Sequence, residues 1–197
     1  MTNHYYSEKQ ESALALKQIH AVLRGKRFSF FTGGGVFSKD KVDFGSSVLA
    51  NFMQVGKKDK VLDLGCGIGV IGCVAATLTE GNILLVDVNA RAVQLAKKNT
   101  VHVKQAQVVQ GNSFEKCIGK AFDVILLNPP QSAGKKLCFQ MIEDAKNYLS
   151  PKGSLQIVAR HNKGGGVLSE HMKEVFGNVE TLCKKGGYRV YKSVLKA

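Results

Sequence analysis

An asparagine followed by two prolines is the segment of this sequence best suited to chemistry. The apolar run 124–127 ends directly in Asn128, Pro129 and Pro130. Two prolines end a strand and fix φ, so the amide oxygen of Asn128 and the backbone oxygen of Pro129 are expected to hold a rigid geometry. These oxygens can accept both hydrogens of an amine whose lone pair is delocalised into an aromatic ring or a carbonyl. The motif therefore favours methylation of such an amine, and a simple strand-ending turn is the alternative.

A glycine-rich segment, Asp63–Gly69, joins a predicted strand to a predicted helix. Its glycines allow the backbone to turn tightly and to lie against a ligand. Residues 67–72 also match G-x-G-x-x-G, so a nicotinamide dehydrogenase has to be considered. Asp63 argues against it, because a carboxylate at this turn would repel a pyrophosphate but attract the ammonium and sulfonium of S-adenosylmethionine. S-adenosylmethionine is therefore the predicted cofactor, and a solvated aspartate that caps the turn is the alternative.

Further polar residues lie at the ends of predicted strands, where a nucleoside would bind. Asp87 ends the second strand, 20 residues after Gly67, where a carboxylate can accept both ribose hydroxyls. Asn112 follows the third strand, where it can hydrogen-bond adenine or form an Asx-turn, and Asn89 is a further candidate ribose contact. The predicted cofactor site comprises Asp63, Gly65, Cys66, Gly67, Gly69, Asp87, Val88, Asn112 and Asn128. The predicted catalytic residues are Asn128, Pro129 and Pro130.

The elements that must position these loops alternate between strand and helix from residue 60 onward, which is typical of a parallel sheet with crossover helices. Strands are predicted at 60–64, 82–87, 107–110, 122–127 and 154–159, and helices at 69–78, 90–99, 135–149 and about 166–176. The pieces 178–184 and 188–194 predict a terminal hairpin around Gly186-Gly187. Ahead of residue 60, apolar spacing predicts a helix over 10–23, a strand over 28–31 and a helix over about 46–54 capped by Ser46 or Ser47.

Composition limits the class of protein. With 197 residues, of which 44% are hydrophobic, the chain is expected to form one globular domain. It has no apolar run of the roughly 20 residues needed to span a membrane, and its polar N-terminus does not resemble a secretory signal. Five scattered cysteines form no C-x-x-C pair, so neither a metal site nor a disulfide framework is predicted. These observations indicate a cytoplasmic protein.

The charge of the chain is strongly positive and unevenly distributed. The net charge is +13, yet residues 61–100, which hold the glycine loop, balance 3 basic against 3 acidic side chains. Residues 1–60 carry 10 basic against 5 acidic, and residues 151–197 carry 9 against 3. Such a surface favours a polyanionic partner, nucleic acid above all, through release of counterions. Solubility without any nucleic-acid partner is the alternative.

These motifs together resemble the class I methyltransferases and, within them, the small methyltransferase family. The resemblance is strongest to the catalytic half of small-subunit ribosomal RNA guanine-N2 methyltransferases, and it covers nearly the whole chain. It rests on the segments 35–46, 63–69, 128–130 and 187–192. It implies a Rossmann-like α/β fold with a mostly parallel seven-stranded sheet, an antiparallel edge strand and helices on both faces. It also implies that residues 1–56 are an extension over the site, with Phe37, Asp43 and Ser46 at its mouth, and that 57–197 form the core.

The implied reaction is methylation of an exocyclic amine in ribosomal RNA, most closely N2 of guanine in 16S rRNA, with free RNA or the small ribosomal subunit as partner. Adenine N6, a protein glutamine amide and an RNA-binding module without catalysis are the alternatives. Gln131 stands where an aromatic residue often follows the prolines and can stack on a flipped base, so Phe37, Phe139 or Tyr188 would have to supply the ring. No counterpart of the second, degenerate N-terminal domain of those enzymes is recognised. Substrate selection is therefore expected from basic residues, namely Arg24, Lys26, Arg27, Lys135, Lys136, Arg160, Lys163, Lys184 and Lys185.

Overall fold

The computed structural model describes residues 16–36, 40–130 and 134–196. Its strands are β1 (Lys17–Leu23), β2 (Lys26–Thr32), β3 (Val61–Leu64), β4 (Ile83–Asp87), β5 (Ala106–Gln110), β6 (Phe122–Leu127), β7 (Leu149–Arg160), β8 (Glu180–Lys185) and β9 (Tyr188–Val194). Its α-helices are α1 (Phe44–Phe52), α2 (Val70–Ala75), α3 (Ala90–Asn99), α4 (Lys135–Ala145) and α5 (Gly165–Phe176).

Seven strands form one sheet in the order β5-β4-β3-β6-β7-β9-β8, and β1 and β2 form a separate hairpin. The first five strands of the sheet are parallel, whereas β9 runs antiparallel to both β7 and β8. The predicted α/β fold, with a mostly parallel seven-stranded sheet and antiparallel pairing at one edge, is confirmed. In the terminal hairpin, β8 forms the edge of the sheet and β9 lies between β7 and β8.

The core occupies both faces of the sheet because its central strands are apolar on both sides. The side chains of successive β3 residues alternate between the two faces of the sheet. Val61 lies in a hydrophobic cluster that includes residues of α1, α2 and α3, and Leu62 lies in a cluster that includes residues of α4 and α5. The same alternation places Leu126 of β6 in the first cluster and Leu127 in the second. Strands buried on both faces are typical of a parallel sheet covered by crossover helices. Helices on both faces are therefore confirmed.

The helix predicted over 10–23 is wrong for its described part, because residues 17–23 form β1. Ile19 and Leu23 are buried in this strand, whereas Val22 is 64% exposed. The buried residues thus follow the period of two that places alternate side chains on one face of a strand. The turn to β2 passes through Arg24 and Gly25, both with positive φ, as tight hairpin turns require.

Several predicted boundaries also differ, among them that of α2, which ends at Ala75 and not at 78. Helix α1 begins at Phe44 and is capped by Asp43, whose Oδ2 accepts the backbone N–H of Ser46 at 2.8 Å, so the caps predicted at Ser46 and Ser47 are wrong. Helix α4 ends at Ala145, before the predicted end. Strand β7 begins at Leu149 and continues through the predicted stop at 150–153, because the pairing with β6 shifts register between Phe122 and Val124 and accommodates those residues.

Candidate functional site

A cavity of about 310 Å³ lies at the carboxyl ends of β3, β4, β5 and β6. Ligands of open α/β sheets bind at this edge, where the loops leave the strands. The loops that follow these four strands line the cavity, and the segment before α1 closes one side. Of the predicted site residues, the structure brings to this cavity Gly65, Cys66, Gly67, Asp87, Val88, Asn112, Asn128, Pro129 and Pro130.

The glycine loop presents bare backbone to the cavity. Gly65 and Gly67 have φ of +69° and +55°, and a Cβ added at either would meet no protein atom within 4 Å. The space in front of them is therefore open to a ligand that lies on the peptide planes. Cys66 also lines the cavity, but burial raises the pKa of its thiol well above the ordinary value, so it is not a thiolate nucleophile.

Asp63 is fully buried beneath the glycine loop and does not line the cavity. Its Oδ2 accepts the backbone N–H of Gly72 at 2.8 Å, which fixes the start of α2. Within the described residues its other oxygen, Oδ1, has no hydrogen-bond donor. Burial, opposed by the hydrogen bond from the Gly72 N–H and reinforced by the nearby Asp87 carboxylate, raises the pKa of Asp63 to about 7. A direct contact between Asp63 and the cofactor stays a prediction.

Asp87 joins two of the loops at the end of β4. Its Oδ2 accepts the N–H of Gly67 at 2.7 Å, and its Oδ1 accepts the N–H of Asn89 at 2.9 Å. Burial raises the pKa of Asp87, and hydrogen bonds from backbone N–H groups, including that of Val88, oppose this rise. The carboxylate is thus held rigidly at the cavity wall, where its remaining lone pairs can accept hydroxyl groups.

Two asparagines predicted as cofactor contacts have different surroundings. Asn112 is exposed at the cavity, and its backbone N–H donates to Oε2 of Glu115 at 3.2 Å. Asn89 is buried and caps α3, since its Oδ1 accepts the N–H groups of Arg91 and Ala92. Its Nδ2 donates to the carbonyl of Gly35 at 3.1 Å. Asn89 therefore fastens the N-terminal segment to the core, a role that its position after a strand did not indicate.

The amide of Asn128 is oriented by two residues at the start of α1. Its Nδ2 donates to Oδ2 of Asp43 at 2.9 Å and to Oγ of Ser46 at 3.0 Å. Both amide hydrogens are therefore used, and an amide has only these two to donate. The opposite end of the amide, Oδ1, is a pure acceptor, and its direction is fixed by the partners of the nitrogen.

Comparison with known proteins places the chain in a family. Residues 27–192 match the model of the methyltransferase small domain. The chain belongs to the methyltransferase small domain family. The family is one of methyltransferases, with which the predicted methyl donor S-adenosylmethionine agrees. The resemblance stated from the motifs at residues 63–69 and 128–130 is confirmed.

Individual relatives agree with this family. The uncharacterized protein YbxB of Bacillus subtilis (strain 168) is 37% identical over 199 residues, which is 98% of each chain. The ribosomal RNA small subunit methyltransferase C of Cronobacter sakazakii is 35% identical over 82% of this chain and 48% of that protein. A solved structure of the T. thermophilus 16S rRNA N2 G1207 methyltransferase, in complex with AdoMet and guanosine, has a TM-score of 0.80 and 24% identity over 94% of this chain and 52% of that one. The chain thus spans about half the length of these ribosomal RNA methyltransferases.

The cavity of this methyltransferase small domain fits the predicted cofactor, S-adenosylmethionine, in three respects. A nucleoside with a charged amino-acid tail needs open backbone, and Gly65 and Gly67 provide it. It needs an acceptor for ribose hydroxyls, and Asp87 lies at the wall. The buried carboxylate of Asp63 lies beneath the loop with one oxygen that no described residue satisfies, which favours a cation above it.

The three aromatic residues considered for base stacking have different locations in this methyltransferase small domain. Tyr188 lies beside the start of α1, where a Cβ added to Gly45 would be 3.1 Å from its Cε1. Phe139 instead stacks on His171, with ring centroids 3.9 Å apart, and does not line the cavity. Phe37 and Gln131 lie outside the described residues. Phe44, which the sequence did not single out, packs edge-on against Tyr188 at 5.4 Å.

Two searches of the described residues complete the site. No group of three or more His, Cys, Asp or Glu side chains among them is arranged to hold a metal ion. In the same part of the chain, no helix has the length and apolar character that crossing a membrane requires.

Proposed function

We propose that the protein transfers the methyl group of S-adenosylmethionine to an exocyclic amine of a base in ribosomal RNA, N2 of guanine in 16S rRNA. The observation that carries this proposal is the fixed orientation of Asn128 at the cavity, with both hydrogens of Nδ2 held by Asp43 and Ser46. Two of the named proteins are ribosomal RNA small subunit methyltransferases, which supports the choice of substrate.

The residues proposed to hold the cofactor are those on three loops. Gly65, Cys66 and Gly67 would support it from below, Asp87 would accept its ribose hydroxyls, and Val88 and Asn112 would flank its base. Gly69 does not line the cavity and would contribute through the turn into α2 that it caps. Asp63 would contribute negative charge from beneath the loop rather than from the cavity surface. When bound, the cofactor supplies an electrophilic methyl group on a sulfonium.

Amine activation is assigned to the Asn-Pro-Pro loop. We propose that Oδ1 of Asn128 and the backbone oxygen of Pro129 each accept one hydrogen of the target amine. Two such bonds rotate the nitrogen out of conjugation and direct its lone pair, and they stabilise the positive charge that develops on nitrogen. Pro129 and Pro130 keep the loop rigid because their φ angles are fixed. The amine nitrogen would bond to the methyl carbon as the carbon–sulfur bond of the sulfonium breaks and its electron pair stays on sulfur, and the surplus proton on nitrogen would then leave to solvent.

Asp43 and Ser46 act as positioning residues in this mechanism. The Asp43 carboxylate accepts from the nitrogen of Asn128 and thereby polarises the amide, which makes Oδ1 a stronger acceptor. Ser46 fixes the second hydrogen. The N-terminal extension, 1–56, is proposed to cover the site, since Asn89 and Arg91 bind the carbonyls of Gly35 and Gly34.

The decisive experiment is methyl transfer to defined ribosomal substrates. The protein is incubated with labelled S-adenosylmethionine and either free 16S rRNA or small ribosomal subunits, and the methyl group is located by nuclease digestion and mass mapping. Methyl-N2-guanine is the expected product. Label in adenine N6 would overturn the choice of base, and label in a ribosomal protein or no transfer at all would overturn RNA as substrate.

A further inference from the structure

The carboxyl edge of the sheet has two halves, one on each side of Asn128. On one side, β3, β4 and β5 lead into the loops of the proposed cofactor site. On the other side, β7 ends at Arg160, β8 ends at Lys185, and the antiparallel β9 begins at Tyr188. The topology therefore collects basic and aromatic side chains on the half that the cofactor does not use.

Two exposed phenylalanines of α1 border this second half. Phe44 is 45% exposed and Phe52 is 38% exposed. Phe44 lies against the turn between β8 and β9, since a Cβ added to Gly186 would be 2.7 Å from its Cε1. Nζ of Lys185 lies 5.8 Å from the ring centroid of Phe52. Exposed rings interleaved with cations are typical of surfaces that stack the bases of single-stranded nucleic acid.

The cleft in this half is lined by several cations. A cleft of about 260 Å³ separates the turn after β7 from the turn after β8, and none of the described residues that line it is acidic. Lys184, Lys185 and Arg189 line it, and the guanidinium of Arg160 lies 5.7 Å from the ring centroid of Tyr188. Cations without neighbouring carboxylates attract a phosphate backbone and release its counterions.

This surface is continuous with the proposed reaction site. A Cβ added to Gly45 would lie 3.1 Å from Cε1 of Tyr188 and 3.3 Å from Oδ1 of Asn128. Tyr188 in turn contacts Phe44 edge-on, with ring centroids 5.4 Å apart. A strand that delivers a base to Asn128 would therefore leave the site over Tyr188 and Phe44.

We propose that this surface binds the single-stranded RNA that flanks the target base, and we call it the hairpin face (Phe44, Phe52, Arg160, Lys184, Lys185 and Tyr188). The proposal rests on the proposed function, since it takes the target base to be part of an RNA. Phe44 and Phe52 stack on flanking bases, and the cations neutralise phosphates. A duplex, whose bases are already stacked on each other, cannot use the rings.

The test of the charges is a double reversal in the full chain, Lys184→Glu with Lys185→Glu. Binding is measured by fluorescence anisotropy with a short labelled single-stranded RNA over a series of salt concentrations. Affinity at low salt is expected to fall about tenfold or more, and the slope of log K against log salt to decrease by about 0.7 for each phosphate that the variant no longer neutralises. The matched control is Lys104→Glu with Lys120→Glu, which makes the same charge change beside a groove at the opposite edge of the sheet.

The test of the rings is Phe44→Leu, which keeps apolar bulk against Gly186 and removes the aromatic face. Affinity for the single strand is expected to fall about fivefold or more, whereas affinity for a duplex of the same sequence should not change. Thermal unfolding of the variant is recorded beside the wild type, so that a loss of fold is recognised. An equal loss for duplex and single strand would overturn stacking by Phe44.

Wild-type methyl transfer and cofactor affinity, measured in parallel, separate this proposal from the proposed function. If the wild type methylates ribosomal RNA while the Lys184/Lys185 variant binds RNA as tightly as the Lys104/Lys120 control, the hairpin face is overturned and the proposed function stands. If the wild type does not methylate RNA while only the Lys184/Lys185 variant loses RNA binding, the hairpin face is supported and the proposed function fails. A variant that loses affinity for a ribosomal protein and not for RNA would also overturn the proposal.

Discussion

Nδ2 of Asn128 lies 2.9 Å from Oδ2 of Asp43, although the two residues are 85 positions apart in the chain. The same oxygen of Asp43 accepts the N–H of Ser46 at 2.8 Å and caps α1. One carboxylate oxygen therefore holds both the start of a helix and the amide that faces the cavity. The packing of α1 against the sheet sets the direction of Asn128 Oδ1.

The first prediction concerns Asn128 itself. Asn128→Ala should reduce methyl transfer by about a hundredfold or more, as for loss of one oriented polar group in a transition state. Cofactor affinity, measured by calorimetry, should stay near that of the wild type because the proposed cofactor loops are unchanged. Near-normal turnover would contradict the proposed mechanism.

The second prediction separates orientation from helix capping. In Asp43→Ser, the shorter hydroxyl can still accept the Ser46 N–H and cap α1, but it cannot reach and polarise Asn128. Turnover should fall about tenfold, while the melting temperature and the cofactor affinity stay near wild type.

Asp43→Ala is the companion variant. It removes the cap as well, so it should lose about 1 kcal/mol of stability in addition to the same loss of turnover. Steady-state kinetics and urea unfolding are measured on both variants. If the loss of turnover in each follows only the fraction of unfolded protein, Asp43 does not position Asn128.

The sequence predicted the parts of the fold that local patterns determine. The apolar runs that became β4 and β6 are bounded by turn residues, and the terminal hairpin is marked by Gly186-Gly187, so their structure follows from neighbours in the chain. The helix predicted over 10–23 is wrong at residues 17–23 because the apolar residues there fit both the helical period and the alternating period of a strand. Pairing with β2, which no local pattern encodes, selects the strand.

The sequence predicts which loops form the site, but it does not predict which side chains contact each other within it. Asp63 lies near the end of β3, Asp87 ends β4 and Asn128 follows β6, so their places at one edge of the sheet follow from topology. Whether a carboxylate lies on the cavity wall, as Asp87 does, or beneath the loop, as Asp63 does, depends on packing. The Asp43–Asn128 hydrogen bond joins distant segments, and only the family resemblance indicated that Asp43 lies near the site.

The third prediction tests whether the glycine loop binds the cofactor by close approach of its backbone. Gly67→Ala adds a Cβ that meets no protein atom within 4 Å but that extends into the cavity region. Cofactor affinity should fall about tenfold or more. The strain of an L-residue at φ +55° should cost only about 1–2 kcal/mol of stability.

Gly119→Ala is the matched control for Gly67→Ala. Gly119 also has a positive φ, +72°, and a Cβ added there also meets nothing within 4 Å, but Gly119 does not line the cavity. The control should lose a similar amount of stability and keep its cofactor affinity. Equal effects of the two substitutions on calorimetric binding would show that Gly67 acts only through strain.

The last prediction concerns the pH dependence that Asp63 confers. Burial raises its pKa to about 7 in the folded state, whereas an unfolded aspartate titrates near 3.8. Between these values the folded state binds the proton and the unfolded state does not, so stability falls as pH rises. The contribution of Asp63 is complete below pH 3.8, is lost as pH rises to about 7, and amounts to about 4 kcal/mol at most at 1.36 kcal/mol per pKa unit.

Asp63→Asn removes this titration, and its amide oxygen can still accept the Gly72 N–H. The stability of the wild type minus that of the variant, from urea unfolding without cofactor, should therefore decrease from pH 4.5 to 7 and level off above. Because a cationic ligand favours the ionised carboxylate, cofactor affinity of the wild type should rise over the same interval, and that of the variant should not. Parallel stability profiles for the two proteins would mean that Asp63 is already ionised at pH 4.5, beneath a loop that shields it less than its burial indicates.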